Sequence, residues 1–176
     1  MNKLVHIYKG GVYKLKREKS TPNAIVFDLD ETLGDFTYLY TFWQGIKEFI
    51  YIKNINNQII FNEILDLFPE FLRCGILNIL NYIKLKKQNN KLKNLFIYTN
   101  NRCSDREWLK NITSYFDYKL ETLNLFDKAI CAFKIDNKIV DLKLKHNKNI
   151  NYLINCTIIP KKTEICFIDN SYYNEM

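Results

Sequence analysis

The chain has 176 residues, 47% of them hydrophobic and 26% charged, which is typical of a single globular domain with a sizeable core. It has only two histidines, no P-loop motif and no cysteine followed six residues later by arginine, which argues against a zinc cluster, a P-loop kinase and a cysteine-based phosphatase. A signal peptide and a long apolar span are also missing, so an intracellular location, cytoplasmic or nuclear, is expected.

The amino-terminal segment is basic. Residues 1–20 contain six lysines or arginines and one glutamate, and Lys9-Gly10-Gly11 separates two short alternating runs. This pattern predicts a basic arm or a hairpin. Together with the net charge of +7, it favours an acidic partner and makes nucleic acid one candidate, although charged surfaces are often only solvated.

A buried strand is predicted at residues 24–27, followed by a long helical segment over about residues 36–88. Helical spacing of apolar residues predicts three helices there: one over 38–51, one ending before Pro69, and one from Phe71 to Leu85. Asn89-Asn90 ends the last of these. A second basic cluster, Lys84 to Lys93, begins at the end of the same helix.

The second half of the chain alternates strand and helix patterns. Apolar runs at 95–98, 129–133 and 165–168 predict strands. Ser104 and Glu107 form a capping box for a helix between the first two, and the apolar spacing after Lys148 predicts a helix before the last. This alternation predicts an α/β sandwich with a parallel central sheet.

Polar residues follow three of the predicted strands. They are Asp28 and Asp30, Thr99 and Asn100, and Asp169 and Asn170. Ligands of parallel α/β sheets bind at the carboxyl ends of the strands, which is where these residues are predicted to lie. Alternate residues of an extended chain point the same way, so Asp28 and Asp30 can share one pocket.

Two close carboxylates repel each other unless a cation or a proton lies between them. That arrangement suits phosphoryl transfer, in which one carboxylate attacks phosphorus, the other handles a proton and a hard divalent cation bridges them. A single Asp-x-Asp is more often a turn or helix cap, so the interpretation depends on the other segments.

Asp28-Leu29-Asp30-Glu31-Thr32-Leu33 resembles the first motif of the haloacid dehalogenase superfamily. It is similar to the form found in protein phosphatases that act on the C-terminal domain of RNA polymerase II. Thr99 after its apolar run, and Asp169-Asn170-Ser171 after the last run, resemble the second and fourth motifs. The motifs occur in the family order and span residues 24–171, so the resemblance implies the three-layer Rossmann-like fold of that superfamily.

The resemblance implies a role for each residue. Asp28 would attack phosphorus and form an aspartyl-phosphate, and Asp30 would act as the acid and then the base. Thr99 and Asn100 would hold phosphoryl oxygens. Mg2+ would be held by Asp28, by Asp30 through its carbonyl, and by Asn170, with Asp169 as a ligand or as the holder of a metal-bound water.

The phosphate-binding lysine of the third motif has three candidates, Lys143, Lys145 and Lys148. Lys148 is favoured because it opens the apolar helix, and because Lys148-Asn149-Ile150 resembles the family's Lys-Asp-Leu. Its separation of 21 residues from Asp169 leaves room for a helix, a loop and a strand.

The 68 residues between Asp30 and Thr99 are where this superfamily inserts a cap, and here they allow a small helical one. An open site favours a phosphorylated macromolecule over an enclosed metabolite, and the resemblance implies a phosphoprotein. A nucleic-acid 3′-end phosphatase, a small-metabolite phosphatase and a non-catalytic scaffold remain alternatives. Two features depart from the pattern: Gly34-Asp35-Phe36 follows the first motif, and five residues follow Ser171, so the chain is expected to be a minimal or shortened version.

Overall fold

A computed structural model of the protein describes residues 23–53, 56–102, 106–132, 134–135, 138–139, 148–173 and 176. Its centre is a four-stranded, all-parallel sheet with the strand order β3-β2-β1-β6. The sheet strands are β1 (Asn23–Phe27), β2 (Asn94–Arg102), β3 (Lys128–Ala132) and β6 (Glu164–Ile168). The predicted α/β class with a parallel sheet is therefore confirmed.

In the described part of the chain, five α-helices and one short 3₁₀ helix surround the sheet. They are α1 (Phe36–Lys53), α2 (Asn57–Leu67), the 3₁₀ helix η1 (Pro69–Phe71), α3 (Ile76–Gln88), α4 (Arg106–Lys119) and α5 (Ile150–Thr157). A separate antiparallel pair is formed by β4 (Lys134–Ile135) and β5 (Lys138–Ile139). Among the described helices, none combines the length and apolar content needed to cross a membrane.

The buried side chains form two clusters on opposite faces of the sheet. Phe27, Leu95 and Ile97 join the buried residues of α1 to α4 in the larger cluster. The alternate strand residues, Val26 and Phe96 among them, join α5 in the smaller one. Since successive strand residues point to opposite faces, the sheet lies between a layer of four helices and a layer containing α5.

The helices between β1 and β2 belong to the main core. Buried residues of α1 recur at helical spacing, with Phe36, Leu39, Trp43 and Ile50 each at most 1% exposed. The Trp43 and Phe61 rings meet edge to face at 5.2 Å, which joins α1 to α2. The helical segment expected to include a small cap thus shares one continuous cluster with the sheet.

The prediction that a helix begins at Phe71 was wrong, since α3 begins at Ile76. Its N-cap Gly75 has a left-handed φ of 77°, and Leu72 instead pairs antiparallel with Gly34. The apolar spacing alone could not show that this segment has a partner elsewhere in the chain. The predicted amino-terminal arm or hairpin, Ser104 of the capping box, Lys143 and Lys145 lie outside the described residues.

Gly34 is needed for a close backbone contact. A Cβ at this position would lie 2.4 Å from the Phe71 carbonyl oxygen, closer than nonbonded atoms approach. We expect Gly34→Ala to lower the free energy of unfolding by about 1–3 kcal/mol, the usual cost of overpacking. Urea denaturation monitored by circular dichroism would measure the change.

Gly45 provides the matched control. It lies inside α1, and an added Cβ would meet no atom within 4 Å. Gly45→Ala should therefore stabilise the protein by up to about 1 kcal/mol through helix propensity. Equal effects of the two substitutions would contradict the close contact at Gly34.

Candidate active site

Asp28 and Asp169 occupy matching positions at the carboxyl ends of neighbouring strands. Phe27 pairs with Ile168 in the parallel register of β1 and β6, and one aspartate directly follows the last residue of each strand. The Asp28 backbone N–H donates to the Ile168 carbonyl oxygen at 2.9 Å, which extends the pairing by one residue. Adjacent strands are about 4.8 Å apart, so this register alone brings the two carboxylates close together.

The Lys148 ammonium lies between these two carboxylates. Its Nζ donates to Asp28 Oδ1 and to Asp169 Oδ2, forming two ion pairs. Exposure of the side chains is 1% for Lys148, 8% for Asp28 and 3% for Asp169. Three elements that are distant in sequence thus meet in one buried charged group, in which the cation offsets the repulsion between two anions.

Two aromatic rings also contact the Lys148 ammonium. The Phe167 and Tyr173 ring centroids lie 5.5 and 5.1 Å from Nζ, within the range of a cation–π interaction. The rings are 6.5 Å apart. The ammonium is therefore held by two carboxylates and two rings, which fixes its position and explains how a lysine can be almost fully buried.

The start of α5 positions Lys148. The Asn149 side chain caps the helix by accepting from the backbone N–H groups of Asn151 and Tyr152, at 2.8 and 3.4 Å. The Asn149 backbone N–H donates to the hydroxyl of the buried Tyr98 at 3.2 Å. Since Tyr98 belongs to β2, this bond ties the start of α5, and with it Lys148, to the sheet.

The loop from Asp28 to Gly34, here called the acidic loop, carries the second aspartate. Thr37 Oγ1 donates to Asp30 Oδ1 at 3.3 Å, linking that carboxylate to the first turn of α1. Asp30 is partly buried, and Leu29 and Leu33 beside it are fully buried in the larger cluster. Burial of these two leucines fixes the loop, so that its acidic residues stay at the carboxyl end of the sheet.

Asn170 ties the acidic loop to the end of β6. Its Nδ2 donates to Glu31 Oε2 at 2.8 Å, and its backbone N–H donates to Thr32 Oγ1 at 3.1 Å. The structure thus brings Asp28, Asp169 and Lys148 into direct contact, while Asn170 contacts the neighbouring part of the acidic loop. Of the three candidate lysines, Lys148 lies within the described residues and contacts Asp28.

Thr99 and Asn100 lie on β2, which continues past both to Arg102. Thr99 is 1% exposed and comes two residues after Ile97, which pairs with Phe27 of β1. The side chain of Asn100 donates through Nδ2 to the Tyr173 hydroxyl at 3.2 Å. Thr99 and Asn100 therefore lie just beyond the last residue of β2 that pairs with β1. They are still within β2, because this strand is longer than the predicted range 95–98.

Burial raises the pKa of the Asp28 carboxyl above its usual value. The adjacent Lys148 ammonium opposes this rise by attraction and by its hydrogen bond, whereas the Asp169 carboxylate adds to it. Lys148 therefore contributes the charge that favours the ionised form of the Asp28 carboxyl.

The residues expected to bind Mg2+ fit that ion in donor chemistry, since carboxylate, amide and carbonyl oxygens are its preferred ligands. Within the described ranges, no three His, Cys, Asp or Glu side chains are grouped as a metal site. The expected set does not rely on such a group, because it includes the Asp30 carbonyl and the Asn170 amide oxygen.

Asp169 already has partners for both oxygens. Oδ2 accepts from Lys148, and Oδ1 accepts from the Ser171 backbone N–H at 2.7 Å. Of the two roles expected for Asp169, holding a metal-bound water leaves these contacts intact, whereas direct ligation would compete with them.

Tyr98, Phe167 and Tyr173 were not identified as site residues from the sequence. The only available signal was proximity, since Tyr173 follows Asp169-Asn170-Ser171 by two residues and Phe167 precedes it by two. Their contacts with Lys148 and Asn149 depend on the sheet register. Strand patterns do not give that register.

The basic cluster at the end of α3 is partly used within the fold. Lys84 Nζ donates to the Leu120 carbonyl oxygen at 2.8 Å. Lys87 Nζ contacts the Leu125 carbonyl oxygen at 2.7 Å and Asp127 Oδ1 at 2.9 Å. Two of the lysines expected to attract a polyanion therefore hold neighbouring loops in place.

No protein-family model matches the chain, and no significant match was found among curated proteins or solved structures.

Proposed function

We propose that this protein is a Mg2+-dependent phosphatase of the haloacid dehalogenase type, which hydrolyses a phosphomonoester through an aspartyl-phosphate. The observation that carries the proposal is the buried contact of Asp28, Lys148 and Asp169, brought together from three separate elements. A carboxylate with an adjacent cation at the carboxyl end of a central parallel strand suits attack on an anionic phosphoryl group.

In the proposed first step, an Asp28 carboxylate oxygen attacks phosphorus. The bond from phosphorus to the leaving oxygen breaks, and protonated Asp30 gives its proton to that oxygen. In the second step, Asp30 takes a proton from water, the water oxygen bonds to phosphorus, and the bond to Asp28 breaks. Inorganic phosphate and both original carboxyl groups result, so no further reactant is needed.

The remaining residues of the site would bind the phosphoryl oxygens and the metal ion and fix their positions. Lys148, Thr99 and Asn100 would bind phosphoryl oxygens, with the Lys148 ammonium exchanging a carboxylate partner for the substrate. Bound Mg2+ would offset negative charge on the phosphoryl group, with Asp28, Asp30 and Asn170 as the residues that hold it and Asp169 supporting them. Positioning and electrostatic stabilisation provide most of the rate enhancement in such transfers.

The proposed substrate is a phosphoprotein. This proposal rests on the resemblance of the acidic loop and of Asp169-Asn170-Ser171 to motifs of the protein phosphatases that act on the C-terminal domain of RNA polymerase II. A nucleic-acid 3′ end is the second candidate, favoured by the net charge of +7. Because Lys84 and Lys87 are engaged within the fold, the support for nucleic acid comes from the other basic residues.

A panel of substrates tests the function and the substrate together. It would include para-nitrophenyl phosphate, phosphoserine and phosphothreonine peptides, 3′-phosphorylated oligonucleotides and small phosphorylated metabolites, each with Mg2+ and with EDTA. We expect turnover that requires Mg2+ and is highest for a phosphopeptide. Equal activity in EDTA would exclude the proposed metal dependence.

A non-catalytic scaffold is the competing function. The observation that favours it is that Lys148 is already paired with both carboxylates, as in a purely structural ion-pair network. The two proposals differ in one measurable respect. Quenching during turnover should trap phosphate on Asp28 in an enzyme, whereas a scaffold would give no phosphorylated form and no turnover of any substrate in the panel.

Replacing Asp30 with asparagine tests the acid–base role. We expect Asp30→Asn to lower turnover by about 10²–10⁴-fold, the usual contribution of a positioned proton donor. Phosphorylated enzyme should accumulate, because the nucleophile remains and the base that activates water is lost. Quenched-flow mass spectrometry would measure it, and rapid hydrolysis of both aryl and alkyl phosphates by the variant would refute the assignment.

A further inference from the structure

The chain segment from Phe71 to Arg73, here called the return segment, pairs with the acidic loop. The Asp35 backbone N–H donates to the Phe71 carbonyl oxygen at 2.7 Å, and the Arg73 N–H donates to the Leu33 carbonyl oxygen at 3.0 Å. Between these bonds, Gly34 and Leu72 form an antiparallel bridge. The loop that carries Asp28 and Asp30 is thus braced by residues reached only after α1, α2 and η1.

The side chain of Arg73 adds a contact at the centre of the loop. Its Nη2 donates to the backbone carbonyl oxygen of Glu31, which lies between Asp30 and Thr32. Glu31 has a φ of 58°, in the left-handed region that non-glycine residues rarely adopt. A residue in this conformation stays there when its surroundings hold it, and the guanidinium supplies a charged hydrogen bond to it.

The other side of the acidic loop is held independently by Asn170, which contacts the Glu31 side chain and the Thr32 hydroxyl. The loop therefore has contacts from β6 on one side and from the return segment on the other. Because Asp30 is joined to Glu31 directly, a rotation of the Glu31 peptide would move Asp30 relative to Asp28.

We propose that Arg73 is a positioning residue, which fixes the backbone of the acidic loop through the Glu31 carbonyl and thereby sets Asp30 for proton transfer. This inference rests on the phosphatase function proposed above. Arg73 is exposed, so its contribution comes from this contact and not from filling the core. A misplacement of about 1 Å near the reacting groups can lower the rate by about 100-fold.

The test compares Arg73→Gln and Arg73→Lys with the wild type and with Lys161→Gln. Lys161 is an exposed lysine before the amino end of β6, so it controls for loss of a surface positive charge. Circular dichroism melting would verify that each variant is folded. Steady-state kinetics with para-nitrophenyl phosphate and hydrogen–deuterium exchange over residues 28–36 are the two readouts.

For Arg73→Gln we expect kcat to fall about tenfold or more. Amide exchange in residues 28–36 should accelerate by a similar factor, because this factor corresponds to the stabilisation that one charged hydrogen bond contributes. KM should stay within about twofold, because the residue acts on the loop and not on substrate. Arg73→Lys should have a kcat between those of Arg73→Gln and the wild type, since lysine keeps a charged donor but lacks the planar guanidinium group. Lys161→Gln should match the wild type in both readouts.

A rise in KM with unchanged kcat, restored fully by lysine, would overturn positioning and assign Arg73 to substrate binding. Unchanged exchange in residues 28–36 would overturn the proposed contact with the loop. If the wild-type chain hydrolysed no phosphoester, this result would refute both the proposed function and the kinetic part of this inference. The exchange comparison would then still decide whether Arg73 fixes the loop.

Discussion

Asp28→Asn is expected to abolish turnover while leaving the protein folded. The amide is almost the same size as the carboxylate but is not a nucleophile, so no aspartyl-phosphate can form. Lys148 would keep Asp169 as a partner, which limits the structural cost. Turnover of para-nitrophenyl phosphate and of the best phosphopeptide should fall to background, and no phosphorylated protein should be trapped by rapid quenching.

Asp35→Asn is the matched control for this prediction. Asp35 follows the acidic loop, and its Oδ1 accepts from the Tyr38 backbone N–H at 3.4 Å at the start of α1. Asparagine serves almost as well as aspartate at a helix start, so this variant should keep both activity and stability. Turnover by Asp28→Asn close to that of Asp35→Asn would remove Asp28 from the mechanism.

Lys148→Met should have a large effect on both stability and turnover. Removing the ammonium leaves the Asp28 and Asp169 carboxylates close together and nearly buried, with no cation between them. Breaking a buried ion pair in this way typically costs about 3–5 kcal/mol of the free energy of unfolding. Urea denaturation would measure that loss, and the proposed loss of phosphoryl-oxygen binding should lower kcat/KM.

Two comparisons test the cause of this effect. Lys143→Met and Lys145→Met change the other candidate lysines, and their losses of unfolding free energy and of kcat/KM should be far smaller. The double variant Asp28→Asn with Lys148→Met should recover part of the lost stability, since one of the two unpaired charges is removed. Equal losses for all three lysines would void the assignment of Lys148, and a double variant no more stable than Lys148→Met would show that the charges are not the cause.

The sheet and much of the site could be predicted from the sequence because their signals are local. Apolar runs that end at Phe27 and Ile168 read directly as strands, and the polar residues after them lie together once the strands are parallel. Lys148 could be favoured over its neighbours because the helix pattern begins just after it, and α5 does begin at Ile150.

Other features depend on contacts between distant residues. The return segment has helical apolar spacing, yet it pairs with Gly34 and so does not join α3. The Arg73 contact with Glu31 crosses 42 positions, and the Tyr98 contact with Asn149 crosses 51. No periodicity within a single segment carries such information, because each contact is set by how the layers pack.

The strand order has a consequence for the time course of folding. β1 is central, yet one of its two neighbours is β6, and the contact between Lys148 and Asp28 spans 120 positions of the chain. Contacts at such separation are slow to form, because the entropy of closing a long loop must be lost before they stabilise anything. Refolding from urea should therefore restore helical circular dichroism before the proposed phosphatase activity, with the candidate active site completed in the last kinetic phase, when β6 pairs with β1.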